Sequence, residues 1–104
     1  MEHYLIYVTA SSKSEAITLG HSAVKNRQAA CANVLEDSTS IYWWEGKIQT
    51  DRETILILKT TSDKLEALVN NLKMTHSYEC PCIIAIEIKN GNSDFLKWIS
   101  HEVQ

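Results

Sequence analysis

Within seven positions around the only proline, the chain places an imidazole and two thiols: His76, Cys80 and Cys82, in the run His76-Ser77-Tyr78-Glu79-Cys80-Pro81-Cys82. Imidazole and thiolate together suit copper or zinc. At the start of a strand Cys80 and Cys82 would point to the same side, and His76 could fold back over the loop, so the three form the best metal-ligand group in the sequence. The C-x-C spacing is shorter than the C-x₂₋₄-C of structural zinc sites, and no second pair exists. The alternative is that both cysteines are small buried hydrophobes flanking the proline.

A second set of chemically capable residues closes the most apolar strand, where Lys59 is followed by Thr60 and Thr61. The three could present one cation and two hydroxyls at a sheet edge or subunit cleft, and a cation joined there by an imidazole and aromatic walls would suit a small anionic ligand. The alternative is a strand-end lysine paired with a surface carboxylate. Cys31 lies inside an apolar strand and reads as a core cysteine, without the electropositive setting a reactive thiol needs. His3, His21 and His101 show no partner spacing. The chain has no G-x-S-x-G, H-E-x-x-H or P-loop, and no paired carboxylates near the histidine loop, so a non-enzymatic role is expected. A lone His with a Tyr two residues on leaves a small isomerase as the minor alternative.

The elements that must position these residues follow from patterning. His3–Thr9 is a nearly continuous apolar run suited to a covered or central strand. Ser12 and Glu15 have capping-box spacing, and a helix runs from there to about Arg27. Gly20 in its middle costs about 1 kcal/mol against alanine, and marks either a close approach of helix to sheet or a tolerated residue. Ala29–Leu35 begins a second extended segment, with Cys31, Asn33 and Leu35 on one face and Ala32 and Val34 on the other. Glu36-Asp37-Ser38 interrupts it as a bend or bulge, and Ser40-Ile41-Tyr42-Trp43-Trp44 continues it. Glu45-Gly46 reverses the chain, and Lys47–Thr60 returns as a long hairpin. Leu65, Leu68, Val69 and Leu72 hold the i, i+3, i+4, i+7 spacing of a second helix, capped by Thr61 or, better placed, Ser62. Cys82–Lys89 is the fourth strand. A short last helix, capped by Asn92 or Ser93, carries a stripe of Phe95, Trp98, Ile99 and Glu102 flanked by Leu96 and Val103.

The order β-α-β-β-α-β-α predicts an α+β, ferredoxin-like βαββαβ domain with a four-stranded antiparallel sheet, spanning residues 1–104 as one domain. Right-handed crossovers put both main helices on one sheet face. The other face stays apolar and open, which predicts oligomerisation through it. Two adjacent tryptophans on a strand face opposite ways, so Trp43 and Trp44 cannot both be covered within a thin domain. Net charge is −3 with scattered basic residues, against a nucleic-acid partner. No apolar run reaches the length of a membrane span, and no signal peptide is evident. An odd count of 3 cysteines fits a reducing compartment, so cytoplasmic localisation is expected.

Over essentially its whole length the chain resembles the CutA divalent-cation-tolerance family. The matching pieces are Val8-Thr9-Ala10, Ala29-Ala30-Cys31-Ala32-Asn33-Val34, Ser40–Ile48, Leu58-Lys59-Thr60-Thr61, the His76, Tyr78 and Pro81 pattern, and Gly91-Asn92 leading to Phe95-Leu96 and Trp98-Ile99. The resemblance implies a homotrimer with sheets packed inward and hairpins embracing neighbours, Trp43 and Trp44 acting as a clasp. It also implies copper tolerance, with no obligatory cofactor and Cu(II) or another divalent cation as ligand. By the same resemblance Tyr78, His76, Trp43 and Glu45 join Lys59 in an intersubunit cleft. The family's likeness to PII-type signalling trimers adds an alternative, a regulatory trimer binding a small anionic metabolite there. The chain departs from the family pattern at Ser77, where proline is usual, at Cys80 (aliphatic), Cys82 (Glu) and Gln28 (Leu).

Overall fold

Alternation along the strands decides the layers. In β1 (His3–Ala10) Ile6, Val8 and Ala10 are fully buried, while their neighbours are only partly covered. In β3 (Lys47–Thr61) Leu56, Leu58 and Thr60 repeat the pattern. These residues face α1 (Lys13–Lys25) and α2 (Ser62–Thr75), which contribute Ala16, Leu19, Ala23, Leu68 and Leu72 to one core. β2 (Cys31–Trp44) and β4 (Ile83–Ile88) complete a sheet in the order β2-β3-β1-β4, with every pair antiparallel. This is the expected split βαβ arrangement. The computed structural model describes residues 2–104.

Local chemistry sets the element ends. The Ser12 hydroxyl accepts from Glu15 N–H at 3.1 Å and caps α1. The Glu15 carboxylate reaches one residue further back than a capping box requires, taking the N–H and hydroxyl of Ser11 at 3.0 and 2.9 Å. Gly20 is a close approach: a β-carbon there would lie 3.1 Å from both Ala32 Cβ and Leu56 Cδ1. Glu45 and Gly46 both take positive φ, 51° and 78°, the pairing of a two-residue turn whose twist matches the hairpin strands. The N-cap of α2 is Thr61, one residue before the better-placed Ser62, and its hydroxyl bonds Asp63 instead of a backbone N–H.

Helix α3 (Ser93–Glu102) departs from the expected stripe. Its inward side is Leu96, Ile99 and Val103, which pack with Ala30, whereas Phe95 and Trp98 are exposed and stack on each other at 5.4 Å. His3 Nε2 and Ser100 Oγ meet at 2.8 Å, so α3 closes one end of the sheet face opposite α1 and α2. The remainder of that face has no cover within the chain. Ile84 and Ile86 on β4 and Leu35 on β2 are about half exposed there. Beyond it the β2–β3 hairpin projects into solvent, drawing the molecule out to 44 × 25 × 22 Å. Among the described residues, no helix is long and apolar enough to cross a membrane.

Candidate functional site

The bulge in β2 shapes the site. Pairing of β2 with β3 runs in register to Leu35–Ile55, then shifts to resume at Ser38–Glu53, with Asp37 at φ 62°. The extra residue reverses which side chains face which way. Cys31, Asn33 and Leu35 lie on the open face before the bulge, and Ser40, Tyr42 and Trp44 lie on it afterwards. Trp43 is turned to the opposite side, 71% exposed.

On this face, where the hairpin leaves the sheet, the loop after α2 comes alongside and encloses a cavity of about 650 Å³. Its floor and far wall are Thr9, Glu53, Tyr42 and Trp44, with Ser40 and Ile41 beside them. The near wall is the loop itself: Ser77, Tyr78, Glu79, Cys80 and Cys82. None of the described lining residues is basic, and two are carboxylates.

Buried hydrogen bonds hold the loop. His76 has a fully buried side chain. Its Nε2–H donates to the Thr9 carbonyl at 2.8 Å, and its Nδ1 accepts the Tyr78 N–H at 3.0 Å. Only neutral imidazole satisfies that pair of bonds, and with both nitrogens engaged His76 is a fastener for the loop. Ser77 N–H donates to Glu15 Oε2 at 2.8 Å, joining the loop to the start of α1. Burial opposes ionisation of Glu15, but the donors from Ser11 and Ser77 outweigh it and bring its pKa down to about 2. A proline at position 77 would have no N–H to give, so the link requires a residue other than proline there, as Ser77 is. Gln28 also works through polar contacts: its backbone carbonyl accepts from Thr60 Oγ1, and its side-chain carbonyl accepts from Asn71 on α2 at 2.8 Å.

Inside the cavity, Tyr78 OH donates to Glu53 Oε2 at 2.8 Å and leaves Oε1 free. Burial, the bond to Glu53 and its negative charge push the Tyr78 phenol well above its usual pKa. Tyr42 is raised by its bond to Asp51, with slight burial and the charges of Asp51 and Glu53 adding. Burial also pushes the Cys82 thiol up; bonds to Thr9 partly offset this and the charge of Glu53 adds to it. The electrostatics therefore favour cations and neutral proton donors and disfavour anions.

Of the residues singled out from sequence, Tyr78, Cys80 and Cys82 come together in the cavity. His76 does not join the two cysteines as a ligand, because its nitrogens are spent on Thr9 and Tyr78. Among the described residues no three His, Cys, Asp or Glu side chains converge as a metal centre. Lys59 lies six residues along β3 from Glu53, about 20 Å away in an extended strand, and its Nζ bonds Asn33 Oδ1. Thr60 and Thr61 are buried and engaged internally. Trp43 and Glu45 sit at the hairpin tip, outside the cavity. Sequence reasoning missed Glu53, Tyr42 and Trp44 as lining residues. The signal that could have found them was the bulge it placed at residues 36–38, carried through to the parity of the strand beyond.

The fold is therefore a ferredoxin-like sheet with one open face, a projecting hairpin and an acidic, thiol-bearing cavity at its root. Residues 4–102 match the family model described as CutA1 divalent ion tolerance protein. A divalent-cation tolerance protein CutA from Archaeoglobus fulgidus is 40% identical over 102 residues, covering 98% of this chain and 99% of that protein. A rice protein, CutA 1, chloroplastic, is 40% identical over 96% of this chain, which spans only 56% of the rice protein's length. The crystal structure of CutA from Xylella fastidiosa superposes with a TM-score of 0.96 over the full length of both chains at 33% identity. The structure described as the periplasmic divalent cation tolerance protein CutA from A. fulgidus gives 0.94 at 40% identity, over 98% of this chain and 99% of that one. The chain belongs to the CutA1 divalent ion tolerance protein family.

Proposed function

We propose that this protein is a non-enzymatic, cation-binding tolerance protein that takes a divalent cation, Cu(II) among them, in the cavity at the root of the hairpin. The observation that carries the reading is the charge of that cavity, where Glu53 and Glu79 stand among thiols and hydroxyls with no basic side chain. Glu53 Oε1, left free by Tyr78, is the hard oxygen donor, and the two cysteines are softer donors elsewhere in the cavity lining. The anionic-metabolite alternative loses its support, because Lys59 lies on another part of the sheet. Proton transfer finds little support either, since His76 has no free nitrogen and the Tyr78 phenol is held protonated.

The chain acts as a homotrimer in this reading, with further copies covering the open sheet face. Leu35, Trp44, Ile84 and Ile86 on that face are each about half exposed and together form more apolar surface than a soluble monomer ordinarily leaves bare. The three free cysteines support a reducing compartment, such as the cytoplasm. Calorimetric titration of Cu(II) into wild type, Glu53→Gln and Lys59→Ala tests the site. Binding should weaken at least about tenfold in Glu53→Gln and stay unchanged in Lys59→Ala. Equal affinity in wild type and Glu53→Gln would refute the placement.

A further inference from the structure

Cys80 and Cys82 stand in the cavity wall with one proline between them, and both are free thiols. Pro81 has its φ fixed by its ring, and it confines the preceding Cys80 to extended backbone. The two thiols are thus presented to one cavity by a segment with little conformational freedom to lose on binding. Both thiols line the same cavity, so one ion seated there can be reached from either sulfur. No nitrogen ligand is on offer, since His76 is committed to Thr9 and Tyr78. Glu53 and Glu79 are the charged donors in the same cavity, but carboxylates are hard ligands and one oxygen of Glu53 is occupied by Tyr78. Two thiolates without imidazole are the donor set of a soft, low-coordinate ion.

We propose that Cys80 and Cys82 form a two-coordinate thiolate site selective for Cu(I) over Cu(II) and Zn(II). This rests on the reading that the cavity is a cation site, and it specifies which cation its thiol wall prefers. Binding forms two S–Cu bonds and releases two protons, one from each thiol. The ion enters already as Cu(I), so no electron is transferred. Cys31 takes no part: it lies on the part of the sheet that pairs with Lys59, away from the cavity.

Anaerobic competition of the purified protein against a coloured Cu(I) chelator tests the proposal. Wild type, Cys80→Ser, Cys82→Ser, Cys31→Ser and Glu53→Gln are compared, and each fold is checked by circular dichroism. Wild type should hold one Cu(I) per chain. Either serine variant at the pair should lose at least about 100-fold in affinity, the upper end of what removing a mere supporting contact costs, while Cys31→Ser retains binding. Cu(I) binding that survives both Cys80→Ser and Cys82→Ser, or that depends on Cys31, overturns the site, as does wild-type Zn(II) binding tighter than Cu(I). Failure of the broader reading looks different: neither Cu(I) nor any divalent ion binds wild type. Divalent binding sensitive to Glu53→Gln without Cu(I) binding leaves the cavity assignment standing and overturns only the dithiol.

Discussion

Replacing Glu15 by glutamine keeps the shape of the side chain and removes its charge. That charge ties three segments together: the end of β1 through Ser11, the first turn of α1, and the cavity loop through Ser77. The depression of the carboxyl from 4.5 to about 2 is worth about 3.5 kcal/mol at roughly 1.4 kcal/mol per unit. With 15% of the side chain exposed, screening by water reduces this, and about 2 kcal/mol is the working figure. Because the folded-state pKa is lowered, the contribution is complete above about pH 4.5 and is lost as pH falls toward 2. Urea unfolding at one fixed protein concentration, followed by tryptophan fluorescence between pH 7 and pH 2.5, measures it. Wild type should exceed Glu15→Gln by about 2 kcal/mol at neutral pH, and the gap should shrink steadily through the acid range as the wild-type carboxyl protonates. A gap that stays constant down to low pH, or no gap at neutral pH, would refute the reasoning.

Gly20→Ala sets a helix-propensity gain of about 1 kcal/mol against contacts of 3.1 Å with Ala32 Cβ and Leu56 Cδ1. Ala32 Cβ is fixed to the backbone of β2, so overpacking should win by about 1–2 kcal/mol; a thermal melt with an unchanged or higher Tm would contradict this. Ile86→Glu places a charge on the open sheet face without touching the core, and sedimentation should show the proposed homotrimer of the wild type lost in the variant. A variant that remains trimeric, or a wild type that sediments as a folded monomer at micromolar concentration, would exclude assembly through that face.

Local periodicity made most of the fold legible. The capping serine at position 12, the Leu65-Leu68-Val69-Leu72 ridge and the reversal at Glu45-Gly46 are each settled by nearby residues and stand where the sequence put them, whereas the choice left open at Gly20 is decided by the distant Ala32 and Leu56. The site was only partly legible because it depends on register between distant segments. Lys59 and Tyr78 look like partners when the strand is taken as a unit, but six residues of β3 separate Lys59 from the level at which the loop crosses. The exchange of Trp43 for Trp44 has a single cause: one extra residue at the bulge inverts the parity of everything after it. Helix α3 failed for a related reason. Its apolar residues are too many for one narrow stripe, and the position of Ala30 and the end of the sheet selects Leu96, Ile99 and Val103 over Phe95 and Trp98.

The central claim is that a cation occupies the cavity between the hairpin root and the His76–Cys82 loop. An anomalous difference map from crystals grown with copper, collected at the copper absorption edge, tests this most directly. A peak is expected within bonding distance of Glu53, Cys80 or Cys82. Anomalous density confined to surface imidazoles such as His21 or His101, with none in the cavity, would contradict it.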